Sequence, residues 1–85
     1  MSDDYFQRQN EWVAKYDIIP GDQLRITRRA DPEERGWPNS WEPSMEESIG
    51  RTYQVDYIDK YGIWLEDGFA YPYFILELAS EDLWL

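Results

Sequence analysis

Residues 51–78, RTYQVDYIDKYGIWLEDGFAYPYFILEL, carry the pattern that decides the fold. Tyr53 and Val55 alternate with Thr52 and Gln54, as the period of a half-buried strand requires. Tyr57-Ile58 breaks that alternation, and a β-bulge there rotates Ile58 inward. Lys60-Tyr61-Gly62 reads as a tight turn. In the following strand Ile63 and Leu65 lie on one face and Trp64 and Glu66 on the other. Asp67-Gly68 is a hairpin signal. AYPYFILELA supplies the last apolar strand, and Pro72 places its start at an edge or a kink.

Upstream, residues 22–30, DQLRITRRA, put Leu24 and Ile26 on one face and Gln23, Arg25 and Thr27 on the other, which predicts another strand. Residues 3–17, DDYFQRQNEWVAKYD, predict a helix. Ser2 or Asp3 serves as its cap, and Asp3 and Asp4 suit the positive end of the dipole. Tyr5, Trp12 and Tyr16, with Phe6 and Val13 beside them, form an aromatic stripe. An isolated helix of this length is marginal in water, so the stripe is expected to pack on the domain in preference to a partner. Pro20-Gly21 ends the segment. Between helix-plus-strand and meander lies residues 31–49, a loop rich in Pro with a helical turn expected at 44–48, Ser44 capping and Glu47 completing a capping box. The expected organisation is an N-terminal helical extension (1–20), a mainly β body of four to five antiparallel strands (21–80) and a C-terminal tail (81–85). Rolling so short a sheet into a small barrel covers its edges and makes one core.

A chain of 85 residues lies near the lower limit of what one core stabilises, so large side chains must supply that core. Five Trp, seven Tyr and three Phe do so, with enough left over to place aromatics at the surface, where Trp and Tyr favour binding. Without Cys there is no disulfide or thiolate metal site, and a reducing cytoplasm is the expected compartment. Without His the commonest general base and metal ligand are missing, so catalysis is not expected and no cofactor is implied. No apolar run approaches a membrane span, and the N-terminus lacks the order of a signal peptide.

The net charge of -10 is uneven: residues 1–41 hold eight acids and six bases, residues 42–85 ten acids and two bases. Such a field disfavours nucleic acid and attracts a protein with a basic surface. The carboxylates Glu46, Glu47, Asp56, Asp59, Glu66 and Asp67 make up the candidate acidic surface. Asp56, Asp59, Glu66 and Asp67 lack the spacing of a calcium loop, so no metal site is assigned to them. Glu66 and Asp67 are also adjacent on a strand, which points them to opposite faces instead of into one catalytic pair. Arg25, Arg28 and Arg29 form the basic cluster, expected to pair with the chain's own acids across strands.

Trp37, Trp41, Trp64 and Tyr71 are the candidate binding set. The two loop tryptophans flank Pro38 and Pro43, and a meeting of loop and strand gives an aromatic groove for a proline-containing or extended peptide. The opposing reading sends Trp41, near Met45, into the end of the barrel and has the others cover a second small core. Trp41, Met45, Ile49-Gly50, Val55, Ile58, Gly62-Ile63, Leu65, Asp67-Gly68, Pro72-Tyr73-Phe74 and Leu76 together resemble small SH3-like barrels of bacteriophage and bacterial proteins, and more remotely the mind-bomb type of barrel. The resemblance spans about half the chain and implies an SH3-like barrel acting as a non-enzymatic interaction module, phage-encoded and working in the host cytoplasm. The function expected is a protein-binding accessory or regulatory module. The alternatives are an acidic nucleic-acid mimic that inhibits a DNA-binding enzyme, and a small self-assembling subunit held by the helix stripe and Trp84.

Overall fold

The computed structural model describes residues 4–79; the expected caps Ser2 and Asp3 and the tail with Trp84 lie outside them. The elements are α1 (Asp4–Tyr16), β1 (Gln23–Ile26), β2 (Thr52–Asp59), β3 (Gly62–Leu65), β4 (Ala70–Tyr71) and β5 (Leu76–Leu78). Short 3-10 turns at Glu34–Gly36, Pro43–Ser48 and Tyr73–Ile75 join them. The five strands form one antiparallel sheet in the order β4-β3-β2-β1-β5.

Alternation decides which side of the sheet is inside. Leu24 and Ile26 of β1, Val55 of β2, Ile63 and Leu65 of β3, and Tyr71 of β4 are buried in one core. Gln23 and Arg25 face outward. The bulge falls at Asp56, one residue earlier than expected: Val55 pairs with Leu65, whereas Tyr57 already pairs with Trp64. Strict alternation would have sent Tyr57 inward with Val55. The extra residue instead puts Ile58 opposite Ile63 on the core side and Tyr57 beside Trp64 on the outer side. At the β2–β3 turn Gly62 has φ 142°, and a Cβ there would lie 2.7 Å from the Tyr71 carbonyl oxygen. Only glycine allows β4 to approach that closely.

β1 is shorter than the expected nine-residue strand. It ends at Ile26, one residue before a last bond in the same register, where the Thr27 backbone N–H and Oγ1 both donate to the Ile75 carbonyl at 2.8 and 2.7 Å. The helix also ends before Pro20. Asp17 adopts the left-handed conformation (φ 56°), the Ile18 N–H donates to the Val13 carbonyl, and the Asp17 N–H to the Ala14 carbonyl. That is a Schellman closure with aspartate where glycine is usual. The turn at Pro43–Ser48 takes Glu42, not Ser44, as its cap, since Pro43 occupies the first helical position, which its missing N–H suits.

α1 packs through part of its stripe. Tyr5 is buried, Trp12 and Val13 are partly buried, and Phe6 and Tyr16 remain exposed. Tyr5 and Trp12 both meet the ring of Tyr73, at 5.5 and 6.1 Å between centroids. Gln9, polar and fully buried, fixes the helix: its Nε2 donates to the Asp59 carbonyl at 2.8 Å and its Oε1 accepts from the Tyr5 hydroxyl at 2.6 Å. The helix is thereby tied to the end of β2 by satisfied polar groups as well as by apolar area.

Candidate functional site

The two loop tryptophans follow different paths. The turn at Glu34–Gly36 delivers Trp37 into the core, where it is 1% exposed and its Nε1 donates to the Tyr61 carbonyl at 2.8 Å. Trp41 stays half-buried, packs edge-on against Tyr71 at 5.9 Å, and donates from Nε1 to Glu46 at 3.0 Å. Both indoles border a recess of about 390 Å³ with Pro32 and Pro38.

Tyr71 is 0% exposed, and its hydroxyl donates to Asp67 Oδ2 at 2.6 Å. Burial, followed by this bond to a carboxylate, holds the Tyr71 phenol above the usual tyrosine range. Trp37 and Tyr71, expected as walls of an open groove, are core residues. Trp64 lies on the opposite side of the sheet from Tyr71, so the four aromatics do not form one surface. Different partners separate them: the distant Tyr61 carbonyl for Trp37, the nearby Asp67 carboxylate for Tyr71.

Trp64 builds a different surface. It stacks on Tyr57 with ring centroids 5.4 Å apart and planes inclined by 13°. Its Nε1 donates to Asp59 Oδ1 at 2.8 Å, which fixes the indole in its rotamer. The same oxygen accepts the Tyr61 N–H at 2.9 Å and holds the β2–β3 turn. Tyr57 is 48% exposed and Tyr61 is exposed at the neighbouring turn. Asp56 on β2 and Glu66, in the turn that follows β3, are exposed. Tyr57 was not among the candidates, although the broken alternation at Tyr57-Ile58 was the signal that it turns outward.

Most of the candidate acids serve as internal acceptors. Asp67 receives the Tyr71 hydroxyl, the Ser48 hydroxyl at 3.1 Å and the Phe69 N–H at 3.2 Å. Glu66 accepts the Gln54 N–H at 2.9 Å. Glu46 accepts from Trp41 and faces Arg29 at 3.9 Å. Glu47 and Asp56 are exposed. Among the described residues no three carboxylates gather as a metal site would need.

The arginine cluster pairs with the chain's own acids, but only Arg25 does so across strands. Arg25 meets Glu77, its direct neighbour across β1 and β5. Arg28 grips Glu34 with both terminal guanidinium nitrogens, Nη1 and Nη2, at 3.1 and 2.7 Å. That fork and the Asp31 N–H hold the Glu34 carboxyl down at about 2. Among the described residues, no helix is long and apolar enough to cross a membrane. Comparison with protein families, with curated proteins and with solved structures found no match.

Proposed function

We propose that this chain is a non-enzymatic protein-binding module whose contact surface is the outer face of the sheet at Tyr57 and Trp64. The observation that carries the reading is a pre-set, half-exposed aromatic stack bordered by carboxylates. Stacked rings present a broad π surface at small entropic cost, because Asp59 already holds Trp64 in place. Exposed Asp56 complements a positive partner, and the net charge of -10 steers such a partner toward the chain. The fitting ligand is a basic segment that lays Lys or Arg side chains on the Tyr57–Trp64 pair. The strand order, with a 3-10 turn between β4 and β5, supports the SH3-like barrel expected from the sequence. The nucleic-acid-mimic reading draws less support, since Asp59, Glu66, Asp67 and Glu46 are held by internal bonds.

Affinity capture by the tagged chain, with nuclease and salt controls, tests the proposal when wild type and Tyr57→Ser are compared. We expect a basic protein to be captured by the wild type and lost with Tyr57→Ser while the melting temperature stays unchanged. A basic partner retained by Tyr57→Ser, or displaced by nuclease, overturns this site.

A further inference from the structure

An open cavity of about 380 Å³ lies between the first turns of α1 and the Glu34–Gly36 turn. Arg8 from the helix and Arg35 from the turn both line it, with Tyr5, Tyr73, Gly36 and Asp4. In a chain with 18 acids and 8 bases, an arginine ordinarily finds a carboxylate. Arg25, Arg28 and Arg29 do; Arg8, Arg35 and Arg51 form no ion pair among the described residues, and of these Arg8 and Arg35 share one cavity.

The backbone that presents Arg35 is unusual. Glu33 and Arg35 both adopt left-handed conformations, with φ of 58° and 52°, and Gly36 follows at 78°. Non-glycine residues rarely occupy that region, and strain of this kind persists where the surroundings enforce it, often at binding sites. The Arg35 guanidinium lies 5.1 Å from the centroid of the Phe74 ring, which Arg28 also approaches at 5.7 Å. Glu34, between the two strained residues, is forked by Arg28 and also attracts Arg35 through space, but it is not among the residues that line the cavity.

We infer that this cavity is an oxyanion site, taking a phosphate or carboxylate group between Arg8 and Arg35. Guanidinium groups match either anion through paired N–H donors. Two arginines against Asp4 leave the lining with one net positive charge within a strongly acidic chain. The tyrosines on the walls accommodate an apolar or aromatic body attached to the anion.

Amide and arginine Nε–H NMR spectra of the full chain, titrated with inorganic phosphate, phenyl phosphate and acetate, test this inference. We expect saturable shifts centred on Gly36 and on the Arg8 and Arg35 side chains. Arg8→Gln and Arg35→Gln should each weaken binding about tenfold, the loss of one charge-assisted contact, and Arg29→Gln should leave it unchanged. A preference for the phosphates assigns a phosphorylated ligand, and a preference for acetate assigns a carboxylate ligand. Failure of all three anions to saturate the shifts, or equal weakening by Arg29→Gln, overturns the site. The result is independent of Tyr57, so either proposal stands or falls alone.

Discussion

Replacing Trp37 with alanine separates a core role from a surface role by magnitude. A buried aromatic removes about 150–250 Å² from water, worth about 4–6 kcal/mol at 25 cal/mol per Å². Truncation of buried Trp to Ala costs about 3–5 kcal/mol in practice, as the cavity partly collapses. Trp37 is 1% exposed, so the whole of that range applies. The Tyr61 carbonyl also loses its indole donor, which adds about 1 kcal/mol if water does not replace it. A domain of 85 residues has a total stability of about 4–13 kcal/mol. Trp37→Ala therefore consumes a large part of the folding free energy, and Trp37→Phe, which keeps most of the volume, costs far less. Urea unfolding followed by far-ultraviolet circular dichroism measures both, with Tyr57→Ser as the surface control expected within about 0.5 kcal/mol of wild type. A Trp37→Ala loss below about 1 kcal/mol, with an unchanged denaturant slope, refutes the burial argument, because that is the range of a surface change.

Two further substitutions probe the polar framework. Asp67→Ala removes the acceptor that the buried Tyr71 and Ser48 hydroxyls share; with the two left to bond each other, one unsatisfied group at about 1–3 kcal/mol is the expected cost in the same unfolding assay, against almost nothing for Glu47→Ala. The Arg28 fork lowers the Glu34 carboxyl to about 2, so its stabilisation is present above the ordinary carboxylate pKa and is lost as pH falls from about 5 toward 2. Solvent around the pair limits that contribution to about 1 kcal/mol, and Glu34→Gln should remove it, flattening the acid limb of stability against pH by that amount.

The parts of the fold legible in the sequence are those written in local period. Leu24 and Ile26, Val55, Ile63 and Leu65 all declare their side of the sheet by alternation, and the Tyr57-Ile58 irregularity locates the bulge to within one residue. Asp67-Gly68 marks the hairpin for the same reason: its turn chemistry is local. The candidate site was less legible because its geometry depends on partners far along the chain. Nothing near Trp37 indicates that its indole will meet a carbonyl at Tyr61, and nothing near Gln9 indicates a partner at Asp59. The acids at Asp59 and Asp67 look like solvated strand and turn residues until the hydroxyl, indole and amide donors around them are in place. Prolines in 31–49 exclude regular structure but do not say which tryptophan turns inward.

The strand order has a consequence for the sequence of folding events. β2, β3 and β4 pair with their chain neighbours, and short turns close them, so this meander can form quickly. β1 must instead join β5 across 54 residues, counted from the Leu24–Leu78 pair (78 − 24). During synthesis β1 emerges early and waits for β5, its edge open and its Leu24 and Ile26 uncovered on that flank. The Arg25–Glu77 pair spans the same late junction, with charge on the outer side of each strand. Single charges there discourage a second chain from docking on the unfinished edge before the chain's own last strand arrives.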